Sequence, residues 1–271
     1  MTLGWSDGQT SGVTETPEVG ELRRQAARQT AGWLASFGLL LWRSNLVDDA
    51  VAGVAVVTQM VGQLGQGAVD AFDRDRFYAG SCMTRQLVEA HYLLLYFATD
   101  VEQAARWRRA SKNRLEKSFR PSKLRHELGA DGGDYQVHCA LGGHPTPQAA
   151  WLLPDHKPLV DREVSWVDLQ QHLTDAVHAS LNAAKELGDR LNGVPGVTYE
   201  EPPAIIAHWI ELDPLARRVN LTDAARIMGR YLISPNGSER PREAHRAVTG
   251  DGGERTPERD VSSAQFPSGD A

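Results

Sequence analysis

An arginine and a glutamate four residues apart, Arg85 and Glu89, fall on one face of an otherwise apolar helical stretch, where their side chains can pair. A buried ion pair is costly unless fully hydrogen-bonded, so it serves either as a specificity device in a core or as part of a site. Further along, residues 106–125 (RWRRASKNRLEKSFRPSKLR) set nine basic side chains against the single acid Glu116, in a chain of net charge −6. Cations at that density displace the counterions of a phosphate backbone, and the interleaved rings Trp107 and Phe119 can stack on unpaired bases. The other reading of this stretch is a solvated helix face answering acids such as Asp70, Asp73 and Asp75. Four of the nine histidines, His126, His138, His144 and His156, fall within 31 residues, beside Asp131, Asp134, Cys139 and Asp155. No H-x3-H or C-x2-C spacing fixes a ligand pair there, so packing, turn geometry or a polar active site accounts for them better. No metal or cofactor is expected. Cys139 directly follows His138, and neighbours on a helix diverge by about 100°, which disfavours a nucleophile–base pair.

The elements that must carry these residues are helical. Thr16, Pro17 and Glu18 read as an N-cap, a first-turn proline and an acid at the positive end of a helix running to about Trp42. Asn45 can cap the next helix, with Asp48 and Asp49 in its first turn. Val51, Val54, Val57, Val61, Leu64 and Ala68 then recur at helical steps. Gly53, Gly62, Gly65 and Gly67 lower that helix's propensity and mark either close helix–helix approach or a break. A third helix over 75–98 carries Arg85, Glu89 and His91, the last about 120° around from Arg85. Asp100 caps a short basic helix, Arg120-Pro121 starts another turn, and a short helix is predicted near 134–141. Ser165 with Asp168 resembles a capping box that opens a long helix with the stripe Trp166, Leu169, Leu173, Val177, Leu181, Ala184, Leu187 and Leu191, closed by Gly193. Short helices near 203–210 and 223–233 follow. The fold class is therefore all-α, a single bundle of five to eight helices over 17–233. Residues 1–16 and 234–271, poor in apolar side chains, are expected to be disordered tails.

With 271 residues, 41% of them hydrophobic and 24% charged, the chain is long enough for a sizeable core, and collagen-like or wholly disordered classes are excluded. Two cysteines cannot build a disulfide framework, which points to a reducing cytoplasm. The longest apolar run, Ala31 to Trp42, falls well short of a membrane span, and Met1 to Thr16 lacks the pattern of a secretory signal, so no membrane partner is expected. Phosphate-binding loops, the dinucleotide fingerprint, the G-x-S-x-G elbow and H-E-x-x-H are all absent from the sequence.

Residues 81–96 (SCMTRQLVEAHYLLLY), an acid-capped helix, and residues 135–147 (YQVHCALGGHPTP) together resemble uncharacterised bacterial helical proteins with an R-x-x-x-E helix before a Tyr-to-His-Pro segment. Those proteins are similar in turn to the HEPN superfamily of helical bundles, many of them RNA-cutting toxins or defence proteins. The resemblance covers residues 75–150. The HEPN signature, Arg followed by His after four to six residues, occurs at Arg85/His91, Arg120/His126 and Arg240/His245, about as often as the composition yields by chance. Gln86 matches the polar residue usual after the Arg, whereas Pro121 does not. The resemblance implies RNA or nucleotide binding and metal-independent RNA cleavage, with a His acting on the 2′-hydroxyl and an Arg stabilising the phosphorane-like charge. Arg85, Glu89, Tyr135 and His144 would then form the catalytic centre, and Arg109, Lys112, Arg120, Lys123, Arg125 and His126 the nucleic-acid-binding rim. The competing expectation is a non-enzymatic helical interaction protein, a homodimer or a protein's partner, in which Arg85/Glu89 only specifies the core. A small-molecule pocket within the bundle is a third.

Overall fold

In this computed structural model the described residues are 16–45, 47–130, 132–145, 149, 152–153, 162–191 and 202–216. They form helices and turns, with no strand among them, as the hydrophobic period requires. Four long helices make the bundle: α1 (Pro17–Ser44), α2 (Asp49–Phe72), α3 (Phe77–Thr99) and α8 (Arg162–Arg190). Helix α2 packs on α1, α3 and α8, and α8 also packs on α1 and α3, so α2 is the axis of the core. Its valines Val51, Val54, Val57 and Val61 are fully buried against Leu34, Phe37, Leu87, Leu94, Leu169 and Leu173. Each such burial stabilises the fold by roughly 1.5–3 kcal/mol.

The α2 glycines mark close approach. A Cβ on Gly62 would lie 2.3 Å from the backbone nitrogen of Ala35 on α1, and one on Gly53 would lie 2.6 Å from the carbonyl oxygen of Ala104. No side chain fits at those distances, so the propensity lost to glycine is offset by helix contact. The start of α2 is fixed by Asp48, whose carboxylate accepts hydrogen bonds from the N–H groups of Ala50 (2.8 Å) and Val51 (3.0 Å). Asn45 acts one turn earlier, accepting from Val47 and Asp48.

Shorter helices cover the bundle. The basic helix predicted after Asp100 is two helices, α4 (Glu102–Arg108) and α5 (Lys112–Ser118), and α6 (Pro121–Leu128) starts at the predicted proline. Then α7 (Gly132–His138) runs into one π-helical turn, Cys139–Gly143, packed on α3. Helix α9 (Ala204–Leu212) packs on α1 through a buried polar knot. There Arg23, 1% exposed, donates from Nε (2.6 Å) and Nη2 (2.9 Å) to Asp213, which also accepts from Trp209 Nε1 at 2.9 Å.

Two cap assignments are corrected, since Asp48 and not Asn45 is the N-cap of α2, and that of α8 changes as well. Helix α8 begins at Arg162, so Ser165 lies buried inside it and does not cap it, and Asp168 lies in its second turn. The expected tails, the helix near 223–233 and the Gly193 stop fall on 1–15, 217–271 and 193, outside the described residues, as do His156, Asp131, Asp155 and the pair Arg240/His245. No helix of the described residues is long and apolar enough to cross a membrane.

Candidate functional site

Helix α3 and the α7–π segment build a polar centre from three of the four residues expected there. Arg85 Nη2 donates to Glu89 Oε1 at 2.7 Å, one turn along α3. The Tyr135 hydroxyl on α7 donates to the same carboxylate oxygen at 2.6 Å and lies 3.4 Å from Arg85 Nη2. The ion pair is only partly buried, with side chains 21% and 27% exposed. Arg125 of α6 lies over the Tyr135 ring, its Cζ 3.8 Å from the centroid, a cation–π contact that ties the basic stretch to the centre. Burial, together with the hydrogen bond to Glu89 and the glutamate's charge, pushes the Tyr135 phenol up to about 12, so it stays a donor across the neutral range.

The Gly142-Gly143 pair lets the π turn sit against α3. A Cβ on Gly142 would lie 2.4 Å from the Ser81 carbonyl oxygen, and one on Gly143 would lie 3.0 Å from Arg85 Nε. The chain then turns away at His144, which is exposed. No hydrogen bond, ion pair or ring contact joins His144 to Arg85, Glu89 or Tyr135 among the described residues. Nor does His91 complete the signature spacing, because it is 4% exposed and its ring stacks beside Tyr92, away from solvent.

The basic stretch spreads over α4, α5 and α6. Lys112, Arg120 and His126 are exposed, as are Arg114 and Lys117. None of these five makes an ion pair with an acid among the described residues. Arg109 sits 3.2 Å and Arg108 3.6 Å from the Asp49 carboxylate at the start of α2, and Lys123 sits 3.5 Å from Glu127. Arg125, expected at the rim, is committed to Tyr135. Two of the three acids proposed to answer this stretch do otherwise, since Asp73 pairs with Arg28 and Asp75 with Arg162. The two interleaved rings also face inward. Phe119 is 8% exposed and meets Tyr96 edge-on, while Trp107 packs on Phe97. They supply the apolar anchor of the short helices and no stacking platform.

A third group was not anticipated as a set. His138, the last residue of α7, meets Asp168 and His172 of α8, which stand four apart on one helix face. The two Nε2 atoms are 2.8 Å apart, and they lie 3.6 Å and 3.5 Å from Asp168 Oδ1. The Asp168/His172 spacing is visible in the sequence, but the capping-box pattern assigns that carboxylate to a helix start. Two imidazoles and a carboxylate oxygen within 4.8 Å of one another are the one set of the described residues able to hold a metal ion. Compared with protein-family models, with curated proteins and with solved structures, the chain matches none.

Proposed function

We propose that this protein binds single-stranded RNA, or a nucleotide of similar chemistry, on the outer face of α5 and α6. The observation that carries the reading is the run of exposed cations Lys112, Arg114, Lys117 and Arg120, none of them neutralised by an acid among the described residues, in a chain that is acidic as a whole. Such charge segregation attracts phosphate and offers it direct contacts. Arg125 on Tyr135 links this face to the Arg85–Glu89 pair, which in this reading positions α7 and the π turn and does not itself touch RNA.

Binding of a labelled mixed-sequence RNA at low salt tests it. Lys112→Glu with Arg120→Glu, two exposed changes, should abolish retention while leaving the helical circular dichroism intact; unchanged binding overturns the proposal. The HEPN resemblance extends the reading to metal-independent cleavage. His126 and His144 are the exposed histidines of this region. Incubation of the RNA pool in EDTA with wild type and with His126→Ala/His144→Ala tests that step. Product from wild type alone supports it, and intact RNA in both restricts the protein to binding.

A second reading, a non-enzymatic helical interaction protein, is favoured by the hydrogen bonds that Arg85, Glu89 and Tyr135 make to one another. Under it the double charge reversal changes no RNA binding, because there is none to change.

A further inference from the structure

The α7–α8 contact brings three metal-ligating side chains to one point from two rigid elements. His138 and His172 are 4% and 3% exposed, whereas the Asp168 carboxylate beside them is 40% exposed and opens the group to solvent. The same ring nitrogen of each histidine, Nε2, points inward, and both approach the same carboxylate oxygen. With 2.8 Å between them the nitrogens share at most one hydrogen, so at least one directs a lone pair at the other. Neither position is an accident of a mobile surface. Asp168 and His172 lie on the same face of a 29-residue helix, and His138 ends α7 where the π turn begins. Such π-helical insertions recur at functional sites because the extra residue re-aims the side chains around it.

The triangle also has the right size. The circle through the three atoms has a radius of about 1.9 Å. An ion at the ~2.05 Å of a zinc–imidazole bond therefore sits about 0.7 Å off their plane, and a regular tetrahedral centre needs the two nitrogens to part from 2.8 Å to about 3.3 Å, a small side-chain adjustment.

We propose that His138, Asp168 and His172 form a binding site for a divalent transition cation of the zinc class, with a fourth position open to water on the Asp168 side. Two imidazoles and one carboxylate suit Zn2+ and its borderline neighbours, whereas Ca2+ and Mg2+ take oxygen ligands. The ion cross-links α7 to α8. Because Tyr135 precedes His138 by three residues on the same helix, the cross-link also holds Tyr135 on Glu89. The site stands on its own and does not depend on the RNA reading.

Untagged full-length protein, stripped with EDTA and dialysed, is titrated calorimetrically with Zn2+. The expected result is one Zn2+ per chain, with affinity reduced about 100-fold or more in His138→Gln/His172→Gln and a smaller loss in Asp168→Asn, on the scale of lost ligands and their supports. Wild-type protein loaded with Co2+ should take on the intense visible absorption of a tetrahedral site, a readout that requires no variant to fold. Absence of saturable Zn2+ binding overturns the proposal, as does binding unchanged in Asp168→Asn and in the folded double variant. A Co2+ spectrum no different from that of the aqua ion also overturns it.

Discussion

Replacing Gly142 by alanine is the sharpest perturbation of the seat that holds Tyr135 on α3. The added Cβ would meet the Ser81 carbonyl oxygen at 2.4 Å, the Ser81 carbonyl carbon at 2.5 Å and the Cys82 nitrogen at 2.8 Å, against 3.4–4 Å for ordinary contact. All three are backbone atoms in the second turn of α3, which cannot yield without breaking its own hydrogen bonds, so the π turn must retreat by about 1 Å. Overpacking of this kind costs about 1–3 kcal/mol. The retreat also lengthens the 2.6 Å Tyr135–Glu89 hydrogen bond, and a bond to a charged group contributes about 1.5–3 kcal/mol when fully made. A total near 2–4 kcal/mol lowers Tm by roughly 4–16 °C at 2–4 °C per kcal/mol. Gly32 provides the control. A Cβ there meets nothing within 4 Å, and the residue lies inside α1, so Gly32→Ala should stabilise by about 0.5–1 kcal/mol. Thermal and urea unfolding followed by circular dichroism measure both. A Tm for Gly142→Ala equal to or above wild type would refute the close-approach argument.

Asp213→Ala takes from buried Arg23 the carboxylate that accepts two of its hydrogen bonds, while Glu163 stays at 3.0 Å. Breaking a buried pair costs about 3–5 kcal/mol, and the surviving partner places this variant near the low end, measurable in urea unfolding; a loss under about 1 kcal/mol would contradict it. Acid should act through the same group. Burial pushes the Asp213 carboxyl up, but the hydrogen bonds from Arg23, from the Leu215 N–H and from Trp209, with the arginine's charge, outweigh it and hold the group below the usual range. A depressed folded-state value contributes stability above the unfolded-state value of about 3.9 and loses it as pH falls below that. Wild-type Tm should therefore drop more steeply than that of Asp213→Asn below about pH 4, and parallel curves would contradict the assignment.

The elements were legible wherever local chemistry agreed with period. Pro17, the α2 valines and Pro121 placed α1, α2 and α6, because first-turn prolines and apolar stripes act within the helix that bears them. Ser165 misled because a capping box is a pattern of four residues, whereas the actual start of α8 is three residues earlier. The Arg85–Glu89 pair was readable from its spacing alone. The fate of Trp107 and Phe119 was not, since a ring among cations is equally an anchor or a platform until the neighbouring Tyr96 and Phe97 are placed. His138 and His172 lie 34 residues apart, and only tertiary packing of α7 on α8 could join them. The glycines of α2 and the π turn carried the opposite lesson. Their low helix propensity was visible, but its compensation by backbone contact belongs to the partner helix.

The claim that α5 and α6 present a phosphate-binding face is tested most directly by the salt dependence of RNA affinity. Four cations, Lys112, Arg114, Lys117 and Arg120, engaging one phosphate each on a single strand give a slope of log K against log salt of about −3, from about −0.7 per contact. Fluorescence anisotropy of a labelled single-stranded RNA across a salt series should show that slope for wild type and no binding for Lys112→Glu/Arg120→Glu. Wild-type affinity that is absent at low salt, or that does not change with salt, would contradict the account.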